Sequence, residues 1–101
     1  MIDLTGKIAI VTGSARGLGR GIAHKLASLG ANVIVTDINA EGVDKTVRQF
    51  LEEGWKADGI PSDVSNREQA EALIRYAVDQ YGKLDILVNN AGINRDALLH
   101  K

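Results

Sequence analysis

Four short aliphatic runs alternate with three stretches of helical periodicity, and that alternation leaves few folds open. Residues 7–12, "KIAIVT", and 32–36, "NVIVT", are β-branched and apolar at consecutive positions, as strands covered on both faces must be. "LDILVN" at 84–89 reads the same way. "KADGIPSDV", from Lys56 to Val64, is the weakest strand; its Pro61 suits an edge or a strand end. Between the runs, Leu18, Ile22, Leu26 and Leu29 form one helical stripe, closed by Gly30. Val43, Val47, Phe50 and Leu51 form a second, capped by Asn39 and ended at Gly54. Ala70, Leu73, Ile74, Ala77, Val78 and Tyr81 form a third, closed by Gly82, with Ser65 and Glu68 as an expected capping box.

The order is β-α-β-α-β-α-β. Strands separated by helices run parallel, so the expectation is an open α/β sheet with helices on both faces. Ligands of such sheets bind beyond the carboxyl ends of the strands. The residues to watch are therefore 13–19, Asp37, Asp63 with Val64, and 89–92. The turn "GSARGLG" after the first strand packs glycine where a tight turn and a close anion need it, ahead of a helix N-terminus, with Arg16 adding a cation. The spacing is neither G-x-G-x-x-G nor that of a P-loop with its lysine. By itself the turn could be purely structural. Asp37 raises the functional reading: an acidic residue about 20 residues past such glycines takes a ribose hydroxyl of a dinucleotide. Taken alone, it would be a loop or capping carboxylate.

"TGSARGLG" together with "NNAG" (89–92) resembles the short-chain dehydrogenase/reductase family along essentially the whole chain. The resemblance implies a Rossmann-type sheet that binds NAD or NADP and transfers a hydride between nicotinamide and a carbonyl or alcohol. It implies that Gly13, Ser14, Arg16, Gly17 and Leu18 line the pyrophosphate and adenosine ribose. Asp37 would take the ribose hydroxyls, which favours NAD with NADP second, and Asp63 and Val64 would touch the adenine. Asn90, Ala91 and Gly92 would lie near the cofactor, and Asn89 would tie neighbouring strands. The ending "GINRD" is similar to the 3-oxoacyl-thioester reductase branch, whose substrates ride on acyl-carrier protein or coenzyme A.

The family's chemistry uses a Ser, a Tyr and a Lys in Tyr-x-x-x-Lys. Here Tyr76 and Tyr81 are followed at that spacing by Gln80 and Asp85, so both read as packing residues and no catalytic residue is assigned. The 101 residues read as a single dinucleotide-binding domain, the N-terminal half of a longer protein truncated after the fourth strand. Alone, such a chain should be inactive and should self-associate through the bare outer edge of its last strand; the parent would be a homo-oligomer. A non-catalytic nucleotide-binding module remains the alternative, and S-adenosylmethionine on the same sheet a more distant one.

Other partners fall away on composition. Net charge is -1, which offers no basic field to nucleic acid, and there is no cysteine. The start "MIDLTGK" has no apolar signal core and no run approaches membrane length, so a cytoplasmic location is expected. His24 and His100 have no clustered ligands, so no metal is expected. Trp55 reads as packing beside the second helix, and Asp85 as a solvated charge at a strand end.

Overall fold

Each aliphatic run forms a strand and each periodic stretch a helix in the computed structural model, which describes residues 2–90. The elements are β1 (Ile8–Val11), α1 (Gly17–Ser28), β2 (Asn32–Asp37), α2 (Ala40–Glu52), β3 (Ala57–Pro61), α3 (Arg67–Tyr81) and β4 (Ile86–Val88). All pairings are parallel, in the order β3-β2-β1-β4. This is the Rossmann-like α/β sheet expected. Ala9, Val11, Val33 and Val35 face α1 and α2, where Ala23, Ala27, Val43 and Phe50 meet them. Ile8, Ile10 and Ile34 face α3 through Leu73 and Ala77. Both faces of the central strands are thus covered, which is why those strands are apolar at every position. The chain leaves β1 to one side for β2 and returns on the other side as β4, so the sheet's switch point lies at β1.

Three details differ from the sequence reading. The line of α1 against the sheet is Gly19, Ala23 and Ala27, not the leucine stripe. Small residues let the helix axis come close, and Ile22 and Leu26 pack along its flank while Leu18 is 69% exposed. The cap of α3 is Asn66, whose side chain accepts from Gln69 N–H, not Ser65. Asp63 takes both the N–H and the hydroxyl of Ser65, which moves the cap one residue on. Finally, Asp85 is more than a solvated charge: its carboxylate accepts Ile8 N–H at 2.8 Å and pairs with Lys83, pinning β4 to β1. The Asn39 cap stands where expected, and Trp55 packs with Phe50 and His24.

The two tyrosines do pack, but they also form a polar group with Asp58 of β3 that the sequence did not announce. Both hydroxyls donate to Asp58 Oδ2. Its Oδ1 accepts Gly59 N–H at 2.8 Å. The bond to Asp58, with burial, pushes the Tyr76 phenol up to about 12; burial and then Asp58 raise Tyr81. A tyrosine in the unfolded chain loses its proton near pH 10. The folded state therefore holds these protons longer, and its advantage is complete below about pH 10 and lost as pH rises towards 12. Melting temperatures should fall across that window, and a Tyr76→Phe, Tyr81→Phe double variant should fall less steeply. Equal slopes would refute the role of the pair.

The two edges of the sheet differ. On β3, Pro61 lacks an N–H and the Gly59 N–H, on the side away from β2, is taken by Asp58, so few donors remain for another strand. On β4, which pairs on one side only among the described residues, Leu87 is 49% exposed, and Ile74 and Val78 of α3 are also exposed. The chain in solution is therefore expected to associate with itself. Light scattering should give a mass above that of one chain, and a strict monomer at high concentration would contradict this. No helix of the described residues is long and apolar enough to cross a membrane.

Candidate functional site

The turn that follows β1 is tied on both sides to neighbouring strands. Thr12 N–H donates to Val88 O at 3.0 Å and its hydroxyl donates to Asn89 Oδ1 at 3.2 Å, so Asn89 does join β4 to β1. Gly13 and Gly17 both sit at positive φ, 62° and 59°, in the left-handed region that other residues adopt only with strain. Ser14 is fully buried. Its N–H donates to Thr36 O at 2.9 Å and its hydroxyl accepts Thr36 N–H at 2.9 Å, which extends the β1–β2 pairing into the turn. The Ser14 side chain thus holds the turn to β2. Ala15 N–H donates to Asp37 Oδ2 at 3.1 Å. Asn90 Nδ2 donates to Gly13 O at 3.3 Å.

Helix α1 begins directly above this turn. A Cβ on Gly19 would overlap the Gly13 carbonyl oxygen and stand 2.6 Å from Asn90 Nδ2. Glycine is required there because helix, turn and β4 meet at that residue. Gly17 is the opposite case: a Cβ there meets nothing within 4 Å and would project into open space. The N-cap of α1 is Arg16, which makes no side-chain cap bond, and the first turn carries no acidic residue. Its leading N–H groups and the positive end of the helix dipole are thus left to an anion. Arg16 and Leu18 are both exposed beside it. An open, uncapped, cationic helix start with glycine at the approach fits a pyrophosphate.

Asp37, at the end of β2, is 8% exposed. Its Oδ1 accepts Ile38 N–H at 2.8 Å while Oδ2 holds Ala15. Each carboxylate oxygen has two lone pairs, so capacity remains for a sugar hydroxyl. The turn, Asp37 and Asn90 are therefore one hydrogen-bonded unit. Asp63 and Val64 stand one strand further out, beyond the end of β3, and the bonds of Asp63 run to Ser65 and Asn66 of its own loop and to Gln69 of α3. Asp63 N–H donates to Gln69 Oε1 at 2.8 Å, and the Ser65 hydroxyl and N–H hold its carboxyl below the usual range. Val64 packs against the Ile10 and Ile34 layer. Ala91 and Gly92 lie outside the described residues. Among the described residues no group of three His, Cys, Asp or Glu could hold a metal ion.

Two of these features were not foreseen: the Asn90–Gly13 bond and the double hold of Asp37. The first had a signal, since a glycine inside a helix implies something close by. The second had none, because an aspartate after a strand looks the same whichever way its carboxylate turns.

Known proteins resemble this chain in sequence and in fold. The sequence profile described as "short chain dehydrogenase" matches residues 7–101. A diacetyl reductase, (S)-acetoin forming, from Staphylococcus epidermidis is 47% identical over 87% of this chain and 34% of its own length. The 3-oxoacyl-acyl-carrier-protein reductase FabG of Haemophilus influenzae is 46% identical over 95% of this chain and 38% of its own. The chain thus spans little more than a third of these relatives. A crystal structure of a metagenomic short-chain oxidoreductase in complex with NADP superposes with a TM-score of 0.83 at 37% identity, covering 88% of this chain and 40% of that one.

Proposed function

The chain belongs to the short-chain dehydrogenase family, and from that premise we propose that residues 1–101 are the dinucleotide-binding part of an oxidoreductase that moves a hydride between nicotinamide and a carbonyl or alcohol. One observation carries the reading: the uncapped start of α1 opens at Gly17, on the same hydrogen-bonded unit as Asp37. The backbone of residues 13–18 and Arg16 hold the pyrophosphate, and Asp37 takes a hydroxyl of the adenosine ribose. Ser14 acts from beneath, by fixing the turn, and Leu18 covers the ligand from the helix. Asp63 and Val64 face the adenine, and Asn90, Ala91 and Gly92 border the cofactor beyond β4. The cofactor supplies the hydride chemistry; these residues bind it and orient it.

NAD is the preferred cofactor in this reading, because an Asp37 carboxylate that takes the ribose hydroxyl would repel a 2′-phosphate. The substrate class we favour is a 3-oxoacyl thioester, for which "GINRD" and the likeness to FabG speak. The catalytic groups must be others than Tyr76 and Tyr81, whose hydroxyls are committed to Asp58. The parent protein is a cytoplasmic homo-oligomer in this reading. Calorimetric titration with NAD tests it: one site per chain is expected, and a folded chain that takes up neither NAD nor NADP would overturn it.

A further inference from the structure

Asp37 meets the glycine turn directly, and that contact has a consequence separate from any ribose. Its Oδ2 accepts the N–H of Ala15, the central residue of "SAR", at 3.1 Å, while Oδ1 accepts Ile38 N–H at 2.8 Å. Asp37 as a whole is 8% exposed, so water competes little for this bond. Ala15 lies between Gly13 and Gly17, the two residues of the turn with positive φ. Neighbouring Ser14 is already fixed to Thr36, the residue before Asp37. The end of β2 therefore grips two successive residues of the turn, one through Thr36 and one through Asp37.

We propose that Asp37 is a positioning residue of the glycine turn, whose carboxylate sets the shape that receives the phosphates in addition to the hydroxyl it takes from the ribose. The inference rests on the dinucleotide reading given above. It separates two effects that a substitution at this position would otherwise merge. Removing the carboxylate relieves repulsion against phosphate; it also frees Ala15 and slackens the turn. Asparagine removes the charge and keeps one side-chain oxygen for the Ala15 N–H, whereas alanine removes both.

The test compares the chain with Asp37→Asn and Asp37→Ala, each first shown by circular dichroism to keep its helices. Hydrogen exchange at residue resolution, without any ligand, should find Ala15 most protected with Asp37, less with Asn and least with Ala. The alanine variant should exchange about tenfold faster than the parent, the equivalent of one ordinary hydrogen bond. Inorganic pyrophosphate, which has no ribose, then serves as probe. Both variants are neutral, so neither repels the probe, but only Asn keeps an acceptor for the Ala15 N–H and should bind it several-fold tighter than Ala. Equal exchange at Ala15 in all three chains would overturn the proposal, as would equal binding of pyrophosphate by the two variants. If Ala fails to fold, Asn against the parent decides: Ala15 exchange unchanged by Asn together with unchanged exchange at Ile38 would overturn it. Failure of the unaltered chain to take up NAD would instead remove the reading of function and leave the Ala15 result standing.

Discussion

Valine at Gly17 and valine at Gly19 should fail in different ways. At Gly17 the added side chain enters open space, so the fold bears only the strain of a positive φ, about 1–2 kcal/mol for a residue with a Cβ. The helices should form, and dinucleotide affinity should fall by about ten- to a hundredfold, because charge-assisted bonds from the helix start to phosphate are each worth about 1.5–3 kcal/mol. At Gly19 the side chain collides with the Gly13 carbonyl and the Asn90 amide, both fixed by strands. Overpacking of about 1–3 kcal/mol or more is then added to the loss of binding, and the melting temperature drops with it. The packing of α1 on Gly13 thus makes Gly19→Val a change in stability as well as in binding. Thermal melts and calorimetry on both variants check the contrast. A Gly19→Val chain as stable as its parent would contradict the close approach.

A preference for NAD over NADP by about ten- to a hundredfold is the second large effect. The extra phosphate of NADP would meet the Asp37 carboxylate in a poorly hydrated corner. Like charges at about 4 Å and an effective dielectric near 20 repel by about 4 kcal/mol. Exposed Arg16 offsets part of this, which is why the expectation lies below the full Coulomb figure. Direct titration with each cofactor reads the ratio, and Asp37→Asn should narrow it. Tighter binding of NADP with Asp37 intact would overturn the assignment. The neighbour solved with NADP shares 37% identity, which leaves room for a different residue at such a decisive place.

The architecture was legible because consecutive β-branched residues and helical stripes are properties of the local chain. Parallel pairing, the two covered faces and the edge position of the strand with Pro61 all followed. What was misread depended on distances between elements. A stripe of Leu18, Ile22, Leu26 and Leu29 looks like a buried face until Gly19, Ala23 and Ala27 are seen to permit a closer approach. Ser65 looks like a cap until Asp63 captures its hydroxyl. The Asp58 group needs β3 and α3 in register, and Asp85 needs β1 beside it, so neither could be read from neighbours in sequence. For the candidate site, the glycines and Asp37 were visible by spacing. The bonds that unite them, Ala15 to Asp37 and Asn90 to Gly13, were not.

The central claim is that this hydrogen-bonded unit, and no other surface, is where a dinucleotide binds. Amide chemical shifts recorded during a titration with NAD test it most directly. The account predicts that the largest shifts fall on residues 13–19, Asp37, Ile38 and Asn90, with smaller ones at Asp63 and Val64, and that Gly17→Val moves the titration to about ten- to a hundredfold higher NAD. Saturable shifts centred elsewhere, or a titration unchanged by Gly17→Val, would contradict it.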